Sequence, residues 1–500
     1  MDMANKFYSA VLKQSRLFFS LSAMCGLCSL LLAGCTVGPE FVRPGAPEVT
    51  RYTHDKGPTE TVSADDQKQY FEYSSKIAED WWQLFNSAKL ETMIKNAVDE
   101  NRNFQAALAR LRQSQEELRA GYGAFFPQVG IGFDASRQKF STAKFGSSSS
   151  SSIFNLYTAS ANVSYVLDVF GGQRRTVESL AAQVDYQQYT AQATYLTLLG
   201  NVVNAGIAEA AYRAEIATTE EIIDSEKNQV QVAEAQVESG TAPYSDALSI
   251  RAQLAATEAS LATLKQELSQ TEHLLAALGG QLSAEYALSS LDLTELSLPS
   301  PLPVTLPSEL VRQRPDILAS EALMHSASAN IGVATAAMFP SLTLSASYGQ
   351  NSNAISKLFN SAGNFWDIGA GLAAPLFQGG TLWFQRRAAI EAYQASVSDY
   401  QQVVISAFQQ VANVLRAVEH DAEALRAQSE ALASSEEARK LIETNYSAGI
   451  VGYLPVLIAE AQYRQAKLGY IQARTLRLQD TAALFVALGG ASWNSETKPQ

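Results

Sequence analysis

Two stretches of the sequence alternate between apolar and polar residues with a period of two. In residues 156–167 every second side chain is apolar, and those between are polar apart from Leu156 and Val166. Residues 341–348 follow the same pattern, which is typical of a strand with one apolar face. Two further segments alternate less cleanly but carry aromatic residues at their ends. The predicted strands are 127–140, 154–169, 340–349 and 365–376.

Two very long segments without proline follow the strands and predict long helices, at 171–238 and 380–446. In the second, apolar residues recur at alternating steps of three and four from Ile390 to Val418, which is a heptad pattern. Small residues are common and charges are few on the other faces, which indicates packing on more than one side. Shorter return helices are predicted at 244–277 and 454–487.

The same order of elements occurs twice along the chain. The pair Phe126–Pro127 recurs as Phe339–Pro340, and Gly240 recurs as Gly449, at offsets of 213 and 209 residues. Two copies of about 210 residues are too few and too long for a solenoid, and indicate a duplicated half-molecule. The predicted divisions are a signal peptide at 1–34, an N-terminal segment at 35–87, repeat one at 88–280 with a first helix at 88–124, an equatorial connector at 281–314, repeat two at 315–490 with a first helix at 315–338, and a tail at 491–500.

The first 34 residues have the character of a secretory signal, with three basic residues ahead of an apolar run. The run Leu32–Ala33–Gly34–Cys35 resembles a bacterial lipoprotein box, which implies acylation of Cys35. The alternative is an ordinary signal peptide with a chance cysteine. Thr36, and not aspartate, follows the cysteine, and the lipoprotein sorting rule then implies the outer membrane.

Composition narrows the class of protein. Charged residues are 17% of the 500 residues, below the roughly 25% of typical soluble domains. A mean hydropathy of -0.07 is too polar for a bundle of membrane helices. The net charge of -13 becomes -15 when the signal leaves with three cations and one anion, which argues against a nucleic-acid partner. Cys25 and Cys28 lie in the signal, so the mature chain has no internal disulfide.

Alternating strands of about ten residues with aromatic ends match a transmembrane β-barrel. On the strands alone, the half-buried sheet of a soluble protein is an equal alternative, but an outer-membrane lipoprotein signal favours the barrel. Four strands cannot close a barrel, and an open edge in lipid would leave backbone groups unpaired. Strands of several protomers must therefore join. Two copies would give eight strands around a filled interior, and three would give twelve around a pore.

Several short motifs follow one another in a specific order. They are Cys35–Thr36–Val37–Gly38–Pro39, Phe41, Arg43–Pro44, Trp81–Trp82, Phe85, Leu90, Asn101, Arg314–Pro315–Asp316–Ile317, Glu321, Ile331–Gly332 and Phe339–Pro340. In this combination the sequence resembles the outer-membrane efflux channels of the TolC and OprM type, in their NodT-like lipoprotein branch, over about residues 35–490. The resemblance implies a mostly α-helical chain with a small transmembrane β part. Three chains would form a 12-stranded β-barrel, four strands per chain, continued by a long periplasmic α-helical barrel with an equatorial domain.

The resemblance also implies a function, which is the passive outer-membrane exit duct of a tripartite efflux or export system. The expected partners are two further copies in a homotrimer, a periplasmic adaptor protein, an inner-membrane pump of the RND type, and outer-membrane lipid. The expected cargo is drugs or other toxic small molecules. No enzyme motif such as a P-loop occurs, and we expect no metal and no cofactor besides the covalent lipid on Cys35.

In this family the turns after the two long helices form the constricted periplasmic entrance and contact the adaptor. The candidate residues are Gly240, Asp246, Gly449, Tyr453, Ile458 and Glu460. Where several members carry an aspartate ring, this sequence has Ile458, and Glu460 points about 200° away around a helix. We therefore expect a hydrophobic gate, or one that uses Asp246. It is equally consistent that Asp246 only favours the first turn of its helix.

A second class of protein fits part of the pattern. A structural outer-membrane lipoprotein could use the long helices as a coiled-coil spacer without any channel. The alternation of the strands and the repeated glycine turns argue against it.

Overall fold

The computed structural model describes residues 36–55, 57–75, 77–140, 152–286 and 291–490. The predicted signal peptide, Cys35 and the tail at 491–500 lie outside these ranges. The chain divides into two compact units. The sheet unit comprises the chain up to Arg43 with Arg112–Asp185 and Glu321–Asp399, and the core unit comprises Pro44–Leu111, Tyr186–Ser320 and the chain from Tyr400 onward.

Helices dominate the described residues. In chain order the main elements are β1 (Tyr70–Tyr73), α1 (Ala88–Glu100), α2 (Arg102–Tyr122), β2 (Gln128–Phe140), β3 (Ser152–Leu167), α3 (Gly172–Glu238), α4 (Tyr244–Leu278), β4 (Pro301–Val304), α5 (Pro307–Gln313), α6 (Pro315–Ala336), β5 (Ser341–Ser352), β6 (Asn364–Ala373), α7 (Thr381–Ser447) and α8 (Tyr453–Ala487). The long helices α3 and α7 have 67 residues each, or about 100 Å at 1.5 Å per residue.

The strands form two sheets. In the sheet unit, β2, β3, β5 and β6 pair in that order, and every neighbouring pair is antiparallel. In the core unit, β1 and β4 form a short parallel pair. This pair joins the N-terminal segment to the region predicted as the connector 281–314, which holds β4 and α5 as well as irregular chain.

Some strand limits differ from the predictions. The strand β5 extends to Ser352, beyond the predicted 340–349. The strand β6 ends at Ala373, short of the predicted limit at 376, because Pro375 follows and has no N–H for a ladder bond. At β3 the structure begins the strand at Ser152 and ends it at Leu167, in place of 154–169.

The single first helix predicted over 88–124 is wrong, because the chain breaks between α1 and α2. Asn101 at the break has an extended backbone, with φ -63° and ψ 120°. Its Oδ1 accepts a hydrogen bond from Phe104 N at 2.9 Å, which caps the start of α2. Its Nδ2 donates to Leu278 O at 2.9 Å, at the last residue of α4.

Arg314 lies between α5 and α6, at the matching place in repeat two. The backbone is again extended, with φ -74° and ψ 120°. The Arg314 Nη1 donates to Ala487 O at 2.8 Å, at the last residue of α8, and Nε donates to Asp316 at 2.9 Å. In both halves of the chain a break thus separates two helices, and a side chain at the break satisfies a carbonyl at the end of the return helix.

The largest apolar core lies in the core unit. Trp81 is fully buried at 0% exposure and stacks on Phe485, with 5.2 Å between ring centroids. Phe85 meets the Trp81 ring edge-on at 6.4 Å. Residues from α1, the start of α2, α3, the middle of α7 and the ends of α4 and α8 also contribute to this core, together with β1, β4, α5 and the segment 291–296. Aromatic pairs of this kind stabilise a core beyond the area they bury.

Within the described ranges, no helix combines the length and hydropathy that a membrane crossing requires.

The carboxyl groups of Asp421 on α7 and Asp480 on α8 form a pair between these two helices. Burial, followed by the hydrogen bond and the charge of Asp480, raises the pKa of the Asp421 carboxyl well above its usual range. Arg477 and His420 act in the opposite direction. The folded protein therefore binds this proton more tightly than the unfolded chain does.

The stabilisation linked to this proton is present at low pH and is lost as pH rises through the raised pKa of Asp421. The pKa of Asp421 is raised to about 7, so we expect the thermal midpoint of the purified protein to fall between about pH 4 and pH 7, and Asp421→Asn to remove much of that fall. Glu91→Gln, at an exposed carboxyl of α1, is the control and keeps the wild-type slope. An unchanged slope in Asp421→Asn would contradict the assignment.

Candidate functional site

The register of the four-stranded sheet gives it one continuous apolar face. Val163 of β3 lies opposite Val129 of β2 and Ala346 of β5. Ile368 of β6 lies opposite Ala346. The strands β2 and β6, whose sequences alternate less regularly, therefore contribute apolar residues to the same face as β3 and β5. Its most exposed apolar members are Val129, Ile131, Phe133, Ile153, Tyr348, Trp366, Ile368 and Leu372.

None of the other described residues covers this face. Ile131 is 91% exposed and Ile368 is 75% exposed, although both lie in the middle of regular strands. A contiguous exposed apolar surface of this kind marks contact with a membrane or another protein.

The opposite face of the sheet is polar. Ser160, Asn162 and Ser164 of β3 lie opposite glycine, serine and glutamine positions of the neighbouring strands. The face also carries two acids, Asp134 on β2 and Asp367 on β6, by the alternation of each strand. The sheet therefore has one side suited to lipid and one suited to water.

Both edges of this sheet are long. Within the described chain, β2 and β6 each pair on one side only. Three antiparallel steps separate them, so they run in opposite directions. The β6 strand of one copy can therefore continue into the β2 strand of the next without changing the antiparallel pattern.

Residues 36–43 form an N-terminal strap on the sheet unit. The Val37 N–H donates to Phe170 O at 3.1 Å, just beyond β3. Phe41 stacks on the His325 ring, with 4.4 Å between centroids. The strap is thereby fixed next to the end of β3.

Motif residues that are far apart in the sequence meet along this strap. Gly38 has φ +98°, and a side chain there would overlap the Gly332 backbone. Arg43 Nε lies 2.8 Å from the Glu321 carboxylate. The motif residues Gly38 and Arg43 therefore contact Gly332 and Glu321, which belong to motifs almost three hundred residues later in the sequence.

A buried arginine holds the strap. Arg175 is 2% exposed, and its guanidinium donates to Glu40 at 2.6 Å and Glu178 at 2.7 Å. Its Nε donates to Val37 O at 3.3 Å. Glu178 also contacts His325 Nε2 at 3.0 Å. Hydrogen bonds to charged groups are the stronger class, so this arginine is the main polar link to the strap.

Both turn glycines end a long helix in the same way. Gly240 after α3 and Gly449 after α7 each have φ +73°, a conformation that glycine adopts without penalty. Two N–H groups in each turn bond back to the last helical carbonyls, as in a Schellman motif. The pairs are Gly240 to Val237, Thr241 to Gln236, Gly449 to Tyr446 and Ile450 to Asn445.

Tyr453 brings the two helix tips together. It packs on a small apolar cluster from repeat one. The cluster is Ala233, Ala247 and Ile250. The centroid of the Tyr453 ring lies 5.4 Å from that of the Tyr446 ring, and burial raises the pKa of Tyr453 to about 12. This side chain is therefore a packing contact between the repeats.

The other predicted residues lie on different surfaces. Ile450, Leu454 and Ile458 follow one another at four-residue spacing and are 71%, 67% and 51% exposed. Leu454 and Ile458 lie about one turn apart on α8, and Ile450 lies in the turn that precedes this helix. The three residues together are named here the apolar stripe. Asp246 is exposed in the first turn of α4 and is not part of this stripe.

Glu460 belongs to a buried ion network at the tip. Arg464 bridges Glu460 at 3.2 Å and Glu226 of α3 at 3.0 Å. Arg439 of α7 lies 3.7 Å from Glu460 and over the Tyr463 ring at 4.8 Å. Arg464 is 7% exposed and Glu226 is 2% exposed. The network therefore ties α8 to both long helices.

Sequence reasoning missed most of this network. The four-residue spacing of Glu460 and Arg464 on one helix is a detectable signal. Their partner Glu226 lies more than two hundred residues away, and no local pattern connects it to them. Arg175 was missed in the same way.

Comparison with known proteins identifies the family. The chain matches the outer membrane efflux protein family over residues 93–281 and 306–490, and it belongs to that family. It is 29% identical over 428 residues to the pyoverdine export outer membrane protein OpmQ of Pseudomonas putida, which covers 83% of this chain and 89% of that protein. It is 26% identical over 468 residues to the cation efflux system protein CusC of Escherichia coli, which covers 92% and 97%.

The solved structure of the outer-membrane channel OprN has the same fold. The TM-score is 0.81 at 26% identity, over 91% of this chain and 99% of that chain. These matches confirm the resemblance found in the sequence and the mostly helical fold with a small β part. The protein is an outer-membrane efflux channel of the kind used in tripartite efflux systems.

The strap contacts make one prediction. Arg175→Ala removes hydrogen bonds between charged groups worth about 1.5–3 kcal/mol each, so the strap should detach and become sensitive to protease. Arg119→Ala is the control, because Arg119 is an exposed arginine of α2 in the same unit and pairs with Glu116 of its own helix. Limited proteolysis with mapping of the cleavage sites measures the effect. Equal cleavage within 36–43 in both variants would show that Arg175 does not hold the strap.

Proposed function

We propose that this protein is a passive duct that conducts drugs and other toxic small molecules to the exterior. An inner-membrane pump of the RND type and a periplasmic adaptor would supply them. The observation that supports it most directly is the four-stranded sheet, with an exposed apolar face, a polar face and two open edges.

Closure of that sheet favours a trimer. Each open edge would leave a row of N–H and C=O groups unpaired in lipid, where water cannot satisfy them. Joining β6 of one copy to β2 of the next removes both kinds of edge. Two copies would give eight strands and an interior filled by side chains, whereas three give twelve strands and space for a pore. A duct therefore needs at least three copies.

The residues that would line the proposed barrel suit the passage of polar and cationic solutes. The polar face would point inward, with Asp134 and Asp367 as its only charged residues on the four strands. Relatives are named for cargoes as different as pyoverdine and cations. Such a range of cargoes fits a duct in which the inner-membrane pump, and not the channel, selects the substrate.

Acylation of Cys35 would add a second membrane attachment. Cys35 precedes Thr36, which lies so close to Gly171 that a side chain on Gly171 would overlap it. The lipid would therefore start beside the end of β3. Two or more acyl chains give stable anchoring, whereas one chain is marginal.

The gate we propose is the apolar stripe of Ile450, Leu454 and Ile458. Three copies of the stripe would meet on the trimer axis and close the periplasmic entrance. The ion network around Arg464 would hold α8 in the closed position, and adaptor binding at the tips would release it in an iris-like motion. The exposure of the stripe and the burial of the network support these two roles.

Single-channel recording in a planar bilayer tests the function. We expect the purified protein to give discrete, low conductance steps, because the entrance is closed by side chains. Ile458→Ala should enlarge the steps by removing bulk from the constriction. Leu248→Ala, at an exposed apolar residue of α4, is the control and should not. Absence of any conductance would favour the coiled-coil spacer, and an unchanged step in Ile458→Ala would remove that residue from the gate.

The network makes a separate prediction. Arg464→Ala leaves Glu226 buried without its partner, a change that costs about 3–5 kcal/mol in comparable pairs, so the closed position should weaken and the open probability rise. Lys467→Ala is the matched control. Lys467 lies about one turn beyond Arg464 on α8 and pairs at 2.6 Å with the exposed Glu221 of α3, and exposed pairs contribute little. Equal open probability in the two variants would exclude the network as the latch.

A further inference from the structure

The charged residues of the four-stranded sheet are sorted by face. Its strands carry four charges. The two acids, Asp134 and Asp367, lie on the polar face. The two cations, Arg137 and Lys139, lie on the apolar face, because they alternate in phase with Ile131 along β2. Both cations are exposed.

These cations lie where the apolar face ends. They are in the last part of β2, at the end of the sheet that carries the β2–β3 and β5–β6 connections. Nine residues of β2, from 128 to 136, precede Arg137. A transmembrane strand needs about 9–11 residues. Arg137 is therefore placed at the exterior boundary of the membrane, next to Tyr157, which lies opposite Ala135.

The described part of the exterior end of the sheet is cationic. Residues 135–140, 152–156 and 349–366 contain three Lys and Arg residues and no Asp or Glu, and the two acids of the sheet, Asp134 and Asp367, are the next residues inside these limits. The three cations are Arg137, Lys139 and Lys357. The complete chain has 37 basic and 50 acidic residues, so this end has the opposite sign to the rest. A cationic patch of this kind fits an anionic partner.

We propose that Arg137 and Lys139 bind the phosphate groups of the phosphorylated glycolipid in the outer leaflet of the outer membrane. This inference rests on the proposed function for the orientation of the sheet. The two residues are about 7 Å apart on one face, at 3.3 Å per residue. Arginine offers a planar pair of donors to phosphate, and lysine a compact positive charge.

The position of the cations favours lipid over cargo as the ligand. Cargo would pass along the polar face, and Arg137 and Lys139 are on the other side of the sheet. Asn155, the register partner of Arg137, can add an amide donor on the same face. The apolar residues below these three can accept acyl chains while the headgroup phosphates meet the cations.

The test is the thermal stability of the full-length protein in detergent, titrated with lipid A. A ligand that binds only the folded protein raises the thermal midpoint. We expect lipid A to raise it for the wild type and for the control Lys95→Gln/Arg110→Gln, which changes two exposed cations of the core unit. The double variant Arg137→Gln/Lys139→Gln should lose most of the shift. The charge-retaining variant Arg137→Lys/Lys139→Arg should keep most of it.

Two further lipids identify the chemistry. Dephosphorylated lipid A should give little shift, because the phosphates are the proposed ligand. Phosphatidylglycerol should give less than lipid A, because it has one phosphate and no phosphorylated sugar. A full shift in the double variant, or an equal shift with either of these lipids, would overturn the inference.

Conductance of the same preparations separates this inference from the proposed function. A double variant that conducts like the wild type but no longer responds to lipid A supports both. If the double variant conducts and still responds to lipid A as the wild type does, only the lipid site is overturned. Absence of conductance in every preparation, wild type included, overturns the duct, and the orientation on which the lipid site depends.

Discussion

The unpaired backbone at a sheet edge is the constraint on which the rest of this structure depends. A chain that places only four strands in lipid cannot satisfy β2 and β6 by itself, because the membrane offers no water to their N–H and C=O groups. The even number of strands makes the two edges antiparallel, so identical copies can join without a change of pattern. Stability in the membrane then requires assembly, and assembly of three copies creates the space that a duct needs.

The duplication distributes this task between two similar halves. Each repeat supplies one pair of strands, and β3–β5 pairing joins the two pairs into one sheet. The breaks at Asn101 and Arg314 show how the halves have diverged while keeping one geometry. An amide satisfies the end of α4 in the first repeat, and a guanidinium satisfies the end of α8 in the second. The geometry of the carbonyl is retained, and the donor differs.

Long-period features of this fold are accessible from sequence, and side-chain networks are not. The absence of proline over 171–238 and the heptads after Ile390 predicted long helices whose limits the structure places within a residue. The less regular strands were harder because glycines at positions such as Gly130 and Gly369 supply a polar face without a polar side chain. The break at Asn101 depends on a capping bond that helix propensity does not reveal. The partners of Arg175 and Arg464 depend on how separate helices align, which a single sequence does not contain.

The ion network that we propose as the latch is better suited to release than to permanent closure. A buried ion pair rarely stabilises a fold more than well-packed apolar residues of the same volume would. It differs in what happens when the helices separate. Apolar residues would expose their surface to water at a cost that grows with area, whereas Arg464 and Glu226 regain hydration that offsets the lost contact. Charged side chains therefore suit an interface that opens into a water-filled entrance. Aromatic side chains suit a permanent interface, such as the core around Trp81.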